Sequence, residues 1–310
     1  MRSKEVIILQ SLWLMPGQGS QKAGMLANVD PNLKKQVEEW TDTKLLDTEE
    51  GYQDSVQIQL SILLLQIDQI DQLKRLGWQP NLVAGHSLGV FGAAYAAGVI
   101  NKEDVFKLVA LRAKEMQYTC PTGYGMGVIV GLSRKQAQSL VDQVHSEAEP
   151  VYLSNQNSEM QNTVSGKLTA IEKVLQLAKE SGASKAKMLK VPNPSHSPLM
   201  QPAADKLAAF LETIKLRNPE CIYLANYNGH ATRNLKSIKY DLGNNLLHPV
   251  YWETMMQVAL EYQPTVSCEF SPGDAFTKLL KAKTDQLHNV TLSTMSIDDA
   301  DYLFNKWEKK

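Results

Sequence analysis

The chain has 310 residues, 43% of them hydrophobic, which allows one large domain or a large domain with a small one inserted. Its 32 Lys and Arg against 33 Asp and Glu give a net charge of -1. That balance argues against a nucleic-acid partner and against a charged tail. Its three cysteines, Cys120, Cys221 and Cys268, lie far apart with no C-x-x-C pair; a disulfide framework or a metal site is not expected, and a reducing cytoplasm is.

The opening stretch to Gln21 has basic residues and then an apolar run. Gln10 and Ser11 interrupt that run and no small-x-small cleavage site follows, so it reads as a buried strand, Val6 to Met15, rather than a signal peptide. No segment reaches the roughly 18 apolar residues of a membrane span. Pro16 to Gln21 is a glycine-rich turn after that strand. Ser55 to Leu76 is a long helix, with Leu60, Leu63, Leu64, Ile67 and Ile70 at helical spacing. Leu82 to Ala84 is a short buried strand running into Gly85-His86-Ser87-Leu88-Gly89, and a small-residue helix, Val90 to Ala97, follows. Gly98 stops it, and Lys102 to Tyr118 is the next helix.

From Gly123 the pattern changes. Strand Met126 to Val130, helix Arg134 to Ser146, strands Val151 to Ser154 and Asn162 to Ser165, helix Leu168 to Ser181 and strand Ala183 to Val191 follow in order. This β-α-β-β-α-β order is ferredoxin-like. The expected fold is therefore α/β, a parallel-sheet, hydrolase-like large domain over 1–122 and 192–310, with an inserted ferredoxin-like α+β subdomain over 123–191. Pro192-Asn193-Pro194 and Gly123 to Gly127 are the expected crossings.

Gly85-x-Ser87-x-Gly89 between a strand and a helix is the setting of a nucleophile elbow. Glycines permit the tight turn, Ser87 is pushed out at the carboxyl end of a strand, and the Leu88 N–H at the helix start can donate to an oxyanion. A plain tight turn containing a serine is the competing reading. A serine nucleophile needs a base, and the chain offers six histidines. His86 adjoins the serine and should point away from it. His145 and His288 read as surface residues and His230 as a turn residue. His196, in Pro194-Ser195-His196-Ser197-Pro198, precedes the helix Met200 to Leu211 and is the leading candidate; His248 is the second. Asp104, Glu115 and Asp142 read as helix-surface residues, so a carbonyl or amide could hold the histidine in a dyad. The Pro16–Gln21 loop could supply a second oxyanion donor; it lacks the Gly-Lys-Ser/Thr of a phosphate loop. Arg112 has apolar neighbours on both sides. A buried guanidinium needs an anion, either an internal carboxylate or that of a substrate.

Together, Pro16–Gln21, Gly85–Gly89, Leu111-Arg112, Pro194-Ser195-His196 with Met200 to Leu207, and Pro249-Val250-x-Trp252 resemble the malonyl-CoA:acyl-carrier-protein transacylase family over nearly the whole chain. The resemblance implies a malonyl ester on Ser87, His196 as its base, and an oxyanion hole from the Gln18 and Leu88 backbone amides. It further implies Arg112 paired with the malonyl carboxylate, Gln59 lining the acyl pocket, and Asn245 orienting the histidine through its backbone carbonyl. Malonyl-CoA and an acyl carrier protein with a phosphopantetheine-type arm are the implied partners, with no bound cofactor. Val90 stands where the fatty-acid enzymes usually carry glutamate, and Ser271-Pro272-Gly273-Asp274 replaces their Gly-Pro-Gly. With Asp47 to Glu50, Val56 to Leu60 and Asp241 to Val250, these look more like the epsilon subunit of malonate decarboxylase. That points to loading of the decarboxylase's own carrier subunit, with its other subunits as further expected partners. The alternatives are a loading enzyme of fatty-acid or polyketide synthesis, a serine hydrolase or thioesterase, and a non-catalytic subunit of a larger complex.

Overall fold

The structure, a computed structural model, describes residues 9–308 apart from Pro121 and Pro192. The first part of the expected strand, Val6 to Ile8, and Pro192 of the expected crossing lie outside the described residues. In chain order the elements are β1 (Ser11–Met15), α1 (Pro31–Thr41), α2 (Ser55–Arg75), β2 (Leu82–Gly85), α3 (Gly89–Ala96), α4 (Lys102–Thr119), β3 (Tyr124–Val130), α5 (Arg134–Val144) and β4 (Val151–Ser158). They continue with β5 (Gln161–Lys167), α6 (Leu168–Glu180), β6 (Lys185–Met188), α7 (Gln201–Thr213), β7 (Ile222–Leu224), β8 (Ala231–Thr232), α8 (Leu235–Gly243), α9 (Trp252–Glu261), β9 (Val266–Glu269), α10 (Ala275–Lys281), β10 (His288–Thr291) and α11 (Ile297–Glu308).

The larger sheet has the order β10-β9-β1-β2-β7-β8, parallel except for the β7–β8 pair. β1 is buried at every position, as a central parallel strand covered on both faces must be. Its alternation sorts the core into two layers. Trp13 and Met15 join the layer formed with α2, α3 and α4, while Leu12 and Leu14 pack with Trp252, Met255 and Met256 of α9 and Phe276 of α10. Each large side chain so buried contributes about 1.5–3 kcal/mol. α2 starts where the Asp54 side chain accepts from the Val56 and Gln57 amides, and it ends with Lys74 and Arg75 at its negative pole.

Residues 124–188 form a separate antiparallel sheet, order β4-β5-β3-β6, with α5 and α6 on one face and their own apolar core. The fold class is as expected. Gly123 to Gly127 is not a linker, however: Gly125 and Gly127 are inside β3. A Cβ on Gly127 would meet Ile171 Cγ2 at 2.9 Å, so glycine there lets α6 pack close to the strand. The last strand of this unit is also shorter than Ala183 to Val191. β4 leans on the large domain: the Gln156 amide donates to Val250 O at 2.8 Å, and the Arg134 guanidinium lies 4.8 Å from the Tyr251 ring centre.

Candidate active site

β1 and β2 are sheet neighbours, so the loop after β1 and the turn after β2 emerge side by side at the carboxyl edge, where open α/β sheets bind ligands. Ser87 sits in that turn with φ 54°, a left-handed conformation unusual for a residue with a Cβ. The flanking glycines are required by contact rather than by φ. A Cβ on Gly85 would overlap the Gly89 backbone, and one on Gly89 would overlap the Met15 carbonyl. Gly17 faces the same limit, since its Cβ would lie 2.8 Å from His86 O. The turn is clamped by Asn226, whose Oδ1 accepts from Ser87 N at 3.0 Å and whose Nδ2 donates to Gly85 O at 2.6 Å. Asn226 is held in turn by the buried Asp241 carboxylate, which accepts from the Asn226 and Tyr227 amides and the Tyr223 hydroxyl. Burial pushes that carboxyl up to about 6.

The Ser87 hydroxyl is within reach of a base. His196 Nε2 is 2.8 Å from Ser87 Oγ, and His196 Nδ1 is 3.0 Å from the carbonyl oxygen of His248. A carbonyl can only accept, so Nδ1 carries the proton and Nε2 receives one from the serine. The imidazole is 2% exposed. Burial, then the Arg112 charge, then His86, push it down to about 3, so it is neutral near pH 7. Among the described residues no carboxylate hydrogen-bonds His196, and Glu115 instead pairs with Lys206 on the surface. Ser87 and His196 are thus a hydrogen-bonded pair steadied by a main-chain carbonyl.

Asn245 is placed differently from expectation. The carbonyl that takes the His196 Nδ1 proton at hydrogen-bond distance is that of His248; the Asn245 backbone is only a weaker influence. The Asn245 side chain does the visible work. Its Oδ1 accepts from Arg112 Nη2 at 3.0 Å and Nε at 3.3 Å, and its Nδ2 faces Ser87 O at 3.3 Å. The identity of that side chain therefore matters. The His248 ring points away and meets the Tyr240 hydroxyl.

Arg112 is 1% exposed. Its Nη1 donates to Gln59 Oε1 at 2.5 Å and its Nη2 to Ser87 Oγ at 3.1 Å; Phe91 lies beneath the guanidinium at 5.7 Å. Among the described residues no carboxylate pairs with it, so the internal salt bridge weighed from the sequence is not what the structure contains. Burial lowers the guanidinium to about 9, still charged at neutral pH. Gln59 lies against Arg112 as well as beside the site, fixed by its Nε2 donating to Ser55 Oγ.

The Gln18 and Leu88 amides lie at the ends of β1 and β2, and among the described residues neither has a protein acceptor. His86 turns away from the serine, as expected. It packs on Trp252 and Phe276, meets Asn157 of β4 through Nε2 at 2.9 Å, and is pushed down to about 4 by burial. His145, His230 and His288 are exposed. Sequence reasoning missed Asn226 and Asn157. The only cue for Asn226 was its place after an apolar run that proves to be β7, next to β2 in the sheet. A cavity of about 700 Å³ lined by Ser20, Lys22, Asp68, Gln69 and the 271–274 and 292–298 segments lies beyond the β1 loop, and Ser87, His196 and Arg112 do not line it.

The chain is similar to known proteins along nearly its whole length. The model of the acyl transferase domain family matches residues 12–300. The malonyl CoA-acyl carrier protein transacylase of Bacillus subtilis (strain 168) is 31% identical over 293 residues, 91% of this chain and 92% of that protein. That of Haemophilus influenzae is 32% identical over 302 residues, covering 91% and 95%. The structure of the malonyl CoA-acyl carrier protein transacylase from Coxiella burnetii superposes with a TM-score of 0.89 at 29% identity, covering 99% of both chains. A malonyl-transacylase solved in complex with its type II PKS acyl-carrier protein gives 0.88 at 30% identity, over 94% and 98%. Matched along nearly its whole length, the chain belongs to the acyl transferase domain family and is an acyltransferase of the malonyl CoA-acyl carrier protein transacylase group.

Proposed function

We propose that the chain moves a malonyl group from malonyl-CoA to the thiol of an acyl carrier protein by way of an ester on Ser87. The observation that carries this reading is Arg112: a fully buried guanidinium with only neutral partners, 3.1 Å from Ser87 Oγ. A buried unpaired charge costs several kcal/mol. The free carboxylate of malonate supplies the missing anion, whereas an acetyl group would leave it missing.

The steps follow from the geometry. His196 Nε2 takes the Ser87 proton as Oγ attacks the thioester carbonyl. The carbonyl oxygen becomes an oxyanion facing the Gln18 and Leu88 amides, each such donor contributing about 3–4 kcal/mol. The C–S bond breaks, the imidazolium returns its proton to the CoA sulfur, and the malonyl-serine ester remains. A carrier thiol then gives its proton to His196 and attacks the ester; Ser87 leaves and recovers the proton. Asn226 and Asn245 hold the serine backbone and the guanidinium while this happens.

The relatives support loading of a synthetic carrier protein, the second of the two settings drawn from the sequence, more than loading of a malonate decarboxylase subunit. The departures at Val90 and Ser271 to Asp274, with the stretches Asp47 to Glu50, Val56 to Leu60 and Asp241 to Val250, are the sequence features that favour the decarboxylase. Intact-mass analysis after incubation with malonyl-CoA tests the chemistry. Wild type should gain one malonyl group and Ser87→Ala none; an adduct on the variant overturns the assignment. Rapid malonate release without carrier would make the chain a hydrolase. Transfer rates to the two kinds of carrier decide the setting.

A further inference from the structure

Helix α2 carries buried amides at Gln59, Gln66 and Gln69, all at or below 9% exposure. Seven residues, close to two turns, separate the first two, so they share a face. Each ends on a different element. Gln59 reaches Arg112, Gln69 exchanges hydrogen bonds with the Ser271 amide and hydroxyl, and Gln66 Nε2 donates to Pro16 O at 2.8 Å. Pro16 is the residue at which β1 gives way to the glycine loop, and its carbonyl fixes the peptide plane leading into Gly17 and then Gln18. Gly17 is pressed against His86 O on the other side. Gln66 thus holds the peptide plane one residue before the Gln18 amide, and the Ser87 turn limits Gly17, the residue between them.

The other end of the same amide is the telling part. Gln66 Oε1 is buried without a hydrogen-bond partner, close to where a Gly92 Cβ would lie, 2.6 Å away. An apolar side chain of equal size would avoid that orphaned acceptor. The glutamine is kept at a cost to folding, and its single hydrogen bond goes to the loop that carries an oxyanion donor. We infer that Gln66 is a positioning residue for the oxyanion site, acting through the Pro16 carbonyl on the Gln18 amide. The inference rests on the acyl-transfer reading for its purpose, though its test does not.

The test is the rate at which a fluorophosphonate labels Ser87. In that reaction the Ser87 Oγ–P bond forms, the P–F bond breaks, fluoride leaves and the proton passes to His196, while the phosphoryl oxygen occupies the oxyanion site. Gln66→Met keeps the volume and removes the donor. The expected result is labelling slowed about tenfold, part of the 10²–10³ lost when such a donor is removed outright. The kcat per labelled site should fall in parallel, KM for malonyl-CoA should stay within twofold, and the unfolding temperature should not drop. A role in packing alone would lower the unfolding temperature and the labelled fraction and leave kcat per labelled site unchanged. Gly92→Ala provides a second route, since its methyl would lie 2.6 Å from Gln66 Oε1 and displace that amide, its other near neighbour being the Met15 side chain at 3.3 Å. Labelling of either folded variant at the wild-type rate overturns the inference. Because the probe carries no malonyl group and needs no carrier, its rate decides the role of Gln66 whether or not wild type forms a malonyl ester.

Discussion

The turn that presents Ser87 and the pocket that holds Arg112 meet at one oxygen atom but are built by different means. The turn is main-chain steric work within a few consecutive residues: Gly85 and Gly89 are glycine because a methyl group at either would overlap backbone. The Arg112 pocket is side-chain work among residues far apart in the chain, with Gln59 from α2, Asn245 from the stretch after α8, and Phe91 from α3. The first kind of site has no slack, because backbone cannot move aside. The second is held by several partners of which no single one is indispensable. The two regions should therefore respond differently to substitution.

The largest effect is expected at the turn. Gly89→Ala should abolish measurable ester formation, a loss of at least about 10³-fold, and destabilise the fold by about 3 kcal/mol or more. Intact mass and chemical denaturation measure the two, and a stable, active variant would remove the steric account. Next comes Arg112→Ala, expected to lower malonyl transfer about 10²–10³-fold while raising acetyl transfer relative to malonyl. An unchanged malonyl preference would take the guanidinium out of substrate selection. In contrast to the turn variant, Arg112→Met should unfold no more easily than wild type, because it removes an uncompensated buried charge. Asn226→Ala should fall between the two classes in stability, down about 1–3 kcal/mol, and below both in its effect on transfer, down about tenfold, since it leaves Ser87 N and Gly85 O without partners.

The smallest effect is one of pH. His196 is pushed down to about 3 by burial and then by the Arg112 charge. Lowering a histidine pKa favours the neutral ring, so ester formation should show no loss as the pH falls from 8 through 6.5, where an ordinary histidine would protonate. Removing the neighbouring cation raises a histidine pKa. Arg112→Met, assayed with a neutral acyl thioester, should therefore move any acid limb to higher pH. A wild-type limb near 6.5 would contradict the burial argument.

The same division explains what could be read from the amino-acid order. The turn was legible because its constraints are local: glycine, serine and glycine between a strand and a helix state the geometry directly. The inserted unit was legible because its alternation and helical periods persist across residues 123–191. The expected crossing ran on into β3 because Gly127, a glycine that admits α6 against that strand, looks in sequence like a glycine in a linker. Asn245 was read only in part for a related reason. The partner of its side chain, Arg112, lies in α4, and only the assembled fold shows that side chain engaged there, beside the weaker influence of the Asn245 backbone on His196. Asn226 and Asn157 have no local signature, since each depends on which strands become neighbours.

The bond from His196 to a main-chain carbonyl has a consequence for what happens to the ester once it has formed. A carboxylate in that place would make the ring more basic than the carbonyl does; burial, with a guanidinium nearby, leaves it a poor proton acceptor. A thiol releases its proton at a pKa of about 8.5, far more readily than water does. A feeble base thus ranks the nucleophiles that reach the acyl group by acidity, and the carrier's sulfur comes well ahead of solvent. In the proposed reaction, the burial that keeps the imidazole neutral also directs the acyl group to transfer rather than to hydrolysis.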